Sequence, residues 1–318
     1  MPMKSSLLLK KLLDIVKQSV SVFKMDLSCG ENLENSGNSN GERPDVCIAG
    51  TDPALDRNPH LLTNLLALER FHGLHTDYFQ HVQIDIQPFM RKVVTVWMLE
   101  VCEEQRCEEQ VFSLAVSYLD RFLAQVAISR KQLQLLAVTA LLVASKFRQC
   151  HALSIDLLCA YTDNSILPQE VRQWELMLVQ RLNWQLSIAT AFDFVDPILA
   201  RVPWGRTNPL VRIHAITLSS VCYTETELLL VPPSLIAVAC ITAAARGLRV
   251  HMSVNDLCYL TRSPPVSTEL VARHVETVLA RETQAQEPRT RYAQPTKQAT
   301  TDQTQLPNTP TDVQDVRF

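Results

Sequence analysis

The sequence predicts an all-α protein, and two observations carry that prediction. Only seven glycines occur in 318 residues, and the run from Leu74 to Trp204 contains none, where average usage would place roughly nine. Apolar residues make up 47% of the chain and recur at helical spacing in most segments. Hairpins and phosphate-binding loops need glycine at positive φ, so helices joined by short turns fit this pattern best.

Charge and cysteine content narrow the functional class. The net charge is −3, without the basic excess typical of nucleic-acid binding, so we expect a protein partner and neither nucleic acid nor membrane. The nine cysteines include no CxxC pair, which is typical of reduced core cysteines in an intracellular protein. GxGxxG, Walker A and HExxH motifs do not occur. We therefore expect a chain that is no enzyme and has no cofactor and no metal.

Residues 1–58 form the first predicted unit, a flexible N-terminal arm. Residues 30–58 are dominated by Asn, Gly, Ser and Pro, which is the composition of a linker. The earlier stretch LLLKKLLDIV is too short for a membrane span and is a poor signal peptide. Two interpretations fit it: a short amphipathic helix, or an extension upstream of a functional start at Met25.

The second unit, residues 59–188, begins a helical pattern at His60. A leading helix, LLTNLLALERF, places leucines at i, i+4 and i+7, and five further segments each predict one helix. Pro88 and Pro168 stand in first turns, where proline is tolerated, and Ser154 is a candidate N-cap. The third segment is apolar almost all round, which predicts a buried central helix. The five segments are 86–105, 108–125, 131–149, 154–162 and 168–182.

The same order of elements (medium, long, buried, short, long) is repeated in a third unit, residues 189–283. Its third segment is again the most apolar. After Glu282 the composition changes, and residues 284–318 are rich in Thr and Gln, which predicts a disordered tail. The five segments of the third unit are 191–202, 208–226, 232–248, 253–261 and 266–283.

The first of the central segments, 86–105, carries two apolar stripes at helical spacing. One stripe must face the core, and the other either packs beneath a neighbouring helix or stays exposed as a docking patch. Periodicity alone favours packing. The first stripe is Phe89, Val93 and Val96, and the second is Met90, Val94, Trp97 and Val101.

Much of the chain resembles the cyclin box, in particular that of D-type cyclins. The resemblance rests on MRKVVTVWMLEVCEEQRCEEQVFSLAVSYLDRFL, LQLLAVTALLVASKF and YTDNSILPQEVRQWELMLVQRLNW; it is dense over residues 78–190 and weaker to 283. It implies two tandem five-helix cyclin boxes between a disordered arm and a disordered tail. It also implies a non-catalytic subunit that binds and activates a cyclin-dependent kinase of the class four and six type and promotes the G1/S transition.

The resemblance assigns roles to particular residues. Lys146 of ASKF and Glu175 of QWELML match the pair that contacts the kinase, and such charges on adjacent helices can hydrogen-bond backbone groups of a partner. Gln149 stands where many cyclins carry an acid. MRKVV with its tryptophan matches the docking patch for basic-leucine motifs of substrates and kinase inhibitors, so the resemblance favours exposure of this stripe. The matched patch residues are Met90, Val94, Trp97 and Gln134.

Two terminal motifs agree with a D-type member. Leu27, Cys29 and Glu31 fit the LxCxE pattern with which D-type cyclins bind retinoblastoma-type pocket proteins. In an extended backbone Leu27 and Cys29 point to the same side, as insertion into a groove requires. Thr309 of TPTDV resembles the tail threonine whose phosphorylation triggers action of a ubiquitin ligase. We expect the protein in nucleus and cytoplasm, although Lys10-Lys11 is too small a basic cluster to explain import.

Two other functions are compatible with a cyclin-like helical fold. A transcription or nucleic-acid scaffold would need a basic face and salt-sensitive DNA binding, and the mild acidity argues against it. A kinase-independent adaptor of pocket proteins would keep the LxCxE contact without stimulating phosphorylation.

Overall fold

The computed structural model describes residues 58–285, which form helices joined by short turns and contain no β-strand. Twelve α-helices follow one another in this range. They are α1 (Leu61–His72), α2 (Tyr78–His81), α3 (Pro88–Glu104), α4 (Glu109–Leu123), α5 (Arg130–Arg148), α6 (Ile155–Ala160), α7 (Pro168–Arg181), α8 (Ala191–Leu199), α9 (Pro209–Thr224), α10 (Pro233–Gly247), α11 (Val254–Thr261) and α12 (Pro265–Ala285).

The all-α prediction with two five-helix boxes is confirmed. Helices α3–α7 form the first box and α8–α12 the second, each around its own apolar core. The predicted central helices are α5 and α10. Every residue of α5 from Leu135 to Ser145 is buried, as is every residue of α10 from Ile236 to Ala245. Such helices lack a polar face because neighbouring helices cover them on all sides.

Local sequence signals account for several helix starts. Pro88 and Pro168 occupy the first turns of α3 and α7. Proline lacks a backbone N–H, but an N–H in the first turn would have no acceptor within the helix. The Ser154 hydroxyl accepts from the backbone N–H of Leu157 at 3.2 Å, so Ser154 is the N-cap of α6. These three positions confirm the sequence-based helix starts.

One helix of the structure was not predicted, and the predicted helix ends differ from the observed ones by up to three residues, most at α8, which ends at Leu199 rather than at residue 202. Helix α2 was not predicted because its four residues are too few to show a helical period. Helix α9 ends at Thr224 rather than at residue 226, and a 3₁₀ turn (Thr226–Leu228) follows. Glu225 leaves the helical conformation, and its carboxylate lies 2.7 Å from the Lys92 ammonium of the first box.

Buried polar contacts tie the two boxes together at α3. The Arg91 guanidinium is fully buried and forms an ion pair with Asp120 of α4 at 2.7 Å. The same guanidinium donates to the carbonyl oxygens of Tyr223 and Thr224, at 3.2 and 3.3 Å, at the end of α9. The Tyr78 hydroxyl donates to Asp120 at 2.8 Å. The Arg91–Asp120 ion pair therefore connects α2, α3 and α4 to the second box.

Helix α1 precedes the first box but packs into the core of the second. Leu62 and Leu66 are buried there. At its other end the Glu69 carboxylate accepts from the Ser234 backbone N–H at 2.6 Å and from its hydroxyl at 2.9 Å, at the start of α10. Burial raises the pKa of Glu69 and outweighs these two hydrogen bonds, which lower it. The predicted unit 59–188 thus includes a helix that stabilises the other box.

Gly205 ends the long glycine-free run for a steric reason. A Cβ at this position would lie 2.2 Å from the carbonyl oxygen of Leu199, which no side chain tolerates. The chain turns back here against the last residue of α8 before α9 begins. Absence of a side chain, rather than positive φ, is what this position requires.

Candidate functional site

The two residues matched to kinase contact lie together on the surface of the first box. Lys146 is the first exposed residue after the buried stretch of α5, and Glu175 lies in the middle of α7. The Lys146 ammonium donates to Glu175 Oε1 at 2.6 Å. The lysine side chain is 48% exposed and the glutamate 25%, so both remain accessible to a partner.

Exposed apolar residues stand close to this ion pair in the sequence. Phe147 follows Lys146 and is 42% exposed, and Leu176 follows Glu175 and is 54% exposed. Leu167, immediately before α7, is 61% exposed. A charged pair among exposed apolar groups has the composition of a protein interface. These three residues carry no distinguishing signal in the sequence, because periodicity alone does not separate an exposed apolar side chain from a core one.

The Gln149 amide joins the end of α5 to the start of α4. Its Oε1 accepts from the Glu108 backbone N–H at 3.1 Å, and its Nε2 donates to the His151 carbonyl oxygen at 2.9 Å. A carboxylate could accept the first bond but could not donate the second. Glutamine at this position therefore serves an internal contact.

The predicted docking patch lies where α3 packs on α5. Met90 and Trp97 are half-buried against the core of the first box, and Gln134 on α5 is also half-buried. Val94 is only 7% exposed and belongs to that core. Met90, Trp97 and Gln134 therefore supply the accessible surface of the patch, and Val94 lies beneath it.

The first stripe of α3 is more exposed than the second. Phe89 is 64% exposed and Val93 47%, while Val96 is half-buried. Periodicity allowed a stripe of this helix either to pack against a neighbouring helix or to stay exposed, and α3 shows both. The stripe that includes Val94 packs, and the stripe that begins at Phe89 remains open.

Glu100 is a further residue on this face that the sequence analysis missed. It follows Trp97 by three positions on α3. Its Oε1 is shielded from solvent and makes no hydrogen bond within residues 58–285, and burial raises the pKa of the carboxyl. A signal was available, because Glu100 continues the spacing of the Phe89 stripe at i+11. Apolar periodicity does not register this position, because its side chain is charged.

Four predicted site residues lie outside the described residues. Leu27, Cys29 and Glu31 belong to the segment before residue 58, and Thr309 belongs to the segment after residue 285. Their roles therefore stay predictions from the sequence.

The cysteines of residues 58–285 form neither disulfides nor a metal site. The seven cysteines of this range are free thiols, and five of them are buried. Cys222 and Cys240 lie with their sulfurs 3.6 Å apart between α9 and α10. No group of three metal-ligating side chains is assembled within the described range. None of its helices has an apolar stretch long enough to cross a bilayer.

Comparison with known proteins places this geometry in a family. The family model "Cyclin, N-terminal domain" matches residues 60–187, and "Cyclin, C-terminal domain" matches residues 189–305. The chain is 38% identical to G1/S-specific cyclin-D2 of Xenopus laevis over 280 residues, covering 85% of this chain and 96% of the relative. It is 43% identical to G1/S-specific cyclin-D1 of Homo sapiens over 208 residues, covering 64% and 70% respectively.

A solved structure agrees at the level of the fold. The X-ray structure of a viral cyclin from herpesvirus saimiri aligns with a TM-score of 0.63 at 21% identity, over 70% of this chain and 97% of the viral protein. The resemblance to D-type cyclins drawn from the sequence is confirmed by these similarities. The protein belongs to the cyclin family.

Proposed function

We propose that this protein is a D-type regulatory cyclin that binds and activates a cyclin-dependent kinase of the class four and six type and promotes the G1/S transition. The observation that carries the proposal is the Lys146–Glu175 pair, held at 2.6 Å on the surface of the first box, with an exposed apolar residue next to each partner in the sequence. The sequence similarity to G1/S-specific cyclins supports the same proposal.

In this proposal the chain contributes binding energy and no catalytic residue. A protein kinase needs a Lys–Glu ion pair and a metal-binding aspartate in place before phosphoryl transfer. A partner that binds the active arrangement more tightly than the inactive one shifts the kinase toward the active state. The Lys146 ammonium can donate to kinase backbone carbonyls, and Glu175 can accept from backbone N–H groups. Phe147 and Leu176 would lose their exposed apolar area on binding.

The surface around Met90 and Trp97 would recruit substrates and kinase inhibitors that carry basic-leucine motifs. The leucine side chain of such a motif would cover the half-buried Met90 and Trp97, and Gln134 would bind its backbone. The cation of the motif would pair with Glu100, whose Oε1 is shielded from solvent and makes no hydrogen bond within the described chain. The negative charge of Glu100 beside this apolar surface favours such a motif.

The terminal motifs add targeting and turnover to the proposal. Leu27, Cys29 and Glu31 would bind a retinoblastoma-type pocket protein and bring it to the kinase. Phosphorylation of Thr309 would create a charged site for a ubiquitin ligase with a basic pocket. Such a cyclin would act in the nucleus and also occur in the cytoplasm.

Co-expression tests the proposal. The full chain would be co-expressed with single cyclin-dependent kinases of several classes, purified by a tag on the cyclin, and assayed on a pocket-protein fragment. We expect kinases of the class four and six type to co-purify and to phosphorylate the fragment. Capture of the fragment without any kinase would instead identify a kinase-independent adaptor, and DNA binding that falls with salt would identify a scaffold.

A further inference from the structure

A cavity of about 460 Å³ lies between the two boxes. The end of α1 and the residues after it form one wall, α4 forms a second, and the chain that joins α9 to α10 forms a third. Small organic ligands bind in clefts of about 300–1,000 Å³. None of the described residues assigned above to kinase contact or to the docking patch lines this cavity. The space is therefore of ligand size and has no part in the functions already proposed.

The chain that leads into α10 supplies an apolar wall. All six residues from Leu228 to Pro233 (LLLVPP) line the cavity, and Ile236 of α10 extends the same wall. Leu230 is 46% exposed, and Leu229 and Val231 are half-buried. Apolar side chains that remain partly in water are stabilised when an apolar ligand covers them. This wall therefore favours a ligand with an apolar body.

Arginine side chains bring positive charge to the other two walls. The Arg70 guanidinium, at the end of α1, makes no ion pair or hydrogen bond with any residue of the range 58–285. Arg121 of α4 donates through one Nη to the Gln185 carbonyl oxygen at 2.8 Å, and its remaining N–H groups have no acceptor in that range. His72 also lines the cavity, and burial, followed by the nearby Arg121 charge, lowers its pKa. Its imidazole is therefore neutral at pH 7 and keeps one N–H donor.

The carboxylates that line the cavity are already bonded within the fold. Asp120 pairs with the buried Arg91 at 2.7 Å. Glu225 lies 2.7 Å from the Lys92 ammonium. Glu69 accepts the two hydrogen bonds from the start of α10 that were described above. The two arginines of the other walls thus have no carboxylate partner among the described residues, and a ligand with an anionic group is their complement.

We propose that this cavity is a binding site for a small amphipathic anion. Its apolar body would lie against the wall from Leu228 to Pro233, and its carboxylate, sulfonate or phosphate would bind to Arg70 and Arg121. Such a ligand would contact residues of both boxes and would stabilise the folded chain, because it binds the folded state and not the unfolded one. The site is separate from the surfaces proposed for kinase and peptide binding.

Two dyes with the same aromatic body would test the inference by fluorescence titration of the full chain. 8-Anilinonaphthalene-1-sulfonate carries an anionic group, and N-phenyl-1-naphthylamine lacks it. We expect the sulfonate dye to bind about tenfold more tightly than the neutral dye, consistent with one charge-assisted hydrogen bond, and to raise the midpoint of thermal unfolding. Equal affinities, or tighter binding of the neutral dye, would overturn the inference.

Variants assign the sulfonate dye to the cavity. Arg70→Gln with Arg121→Gln should weaken its binding about tenfold and leave the neutral dye unchanged, whereas Leu230→Ser should weaken both dyes. The matched control, Arg206→Gln with Arg249→Gln, removes two exposed arginines outside the cavity and should bind both dyes as wild type does. Arg121→Lys alone keeps the charge and should retain most of the affinity, which separates loss of the anion site from loss of folding. Unchanged binding of the sulfonate dye by the Arg70/Arg121 variant would refute the site.

Discussion

Arg91 and Asp120 form a bidentate ion pair in the interior of the protein. Arg91 Nε lies 2.8 Å from Asp120 Oδ1 and Nη2 lies 2.7 Å from Oδ2, with side-chain exposures of 2% and 6%. The same arginine bonds to carbonyl oxygens of the second box. Since Arg91 stands between Met90 and Lys92, this pair fixes the helix segment that carries the docking surface.

We expect Arg91→Met to lose about 3–5 kcal/mol of unfolding free energy, because an unpaired carboxylate would remain buried at Asp120. Urea denaturation followed by circular dichroism measures the loss. Arg246→Ala is the matched control, since Arg246 pairs with Glu269 at the surface and should cost about 1 kcal/mol or less. Similar losses in the two variants would contradict the structural role of the buried pair.

His214 gives a prediction for how the stability of the fold depends on pH. Burial lowers the pKa of His214 from its ordinary value of 6.5, and its Nε2 has no hydrogen-bond partner within the described residues. The unfolded chain binds a proton at this histidine more readily than the folded chain does, so stability falls as the pH drops below about 6.5. Burial, with the Arg121 charge second, also lowers the pKa of His72, which acts in the same direction.

Denaturation of wild type and His214→Gln at pH 7.5 and pH 5.5 measures this effect. We expect the loss of unfolding free energy between the two pH values to be smaller in the variant, because glutamine takes up no proton in either state. A variant that loses as much as wild type would show that His214 does not contribute to the pH dependence.

The LxCxE segment gives a prediction that separates substrate targeting from kinase binding. Cys29→Ala with Glu31→Ala should weaken capture of a pocket-protein fragment at least tenfold, because the groove-facing side chain and the charge are both removed. Co-purification of the kinase should be unchanged. Loss of kinase together with the pocket protein would place the motif in a different interaction.

The tail gives a prediction for turnover in cells. Thr309→Ala removes the acceptor of the proposed phosphorylation and should lengthen the half-life measured by cycloheximide chase. Thr311→Ala, two residues away and without a following proline, is the matched control. Equal half-lives of wild type and Thr309→Ala would exclude a degradation signal at this threonine.

The fold followed from the sequence because its signals are local. Prolines in first turns and the apolar run of α5 identify helices from the local sequence alone, whichever helices pack against them. Contacts between distant segments were not readable in this way. The sequence of α1 places its leucines at clear helical spacing, but nothing in that sequence indicates that Leu62 and Leu66 pack into the second box.

The candidate site was predictable only in part, for the same reason. Lys146 and Glu175 were found through the family resemblance, while their 2.6 Å separation depends on how α5 packs on α7. Periodicity found both stripes of α3 but did not indicate that Phe89 would stay exposed and Val94 would be buried. Which stripe faces the core is decided by the helices packed around α3.

The central claim is tested most directly by removing both charges of the kinase-contact pair. The double variant Lys146→Ala and Glu175→Ala would be co-expressed with a kinase of the class four and six type, beside a control that removes Arg246 and Glu269, a surface pair 2.5 Å apart in the second box. We predict loss of kinase co-purification and of pocket-protein phosphorylation in the first variant only. Both should stay folded, because exposed ion pairs contribute about 1 kcal/mol or less. Normal co-purification of the kinase with the Lys146/Glu175 variant would contradict the account.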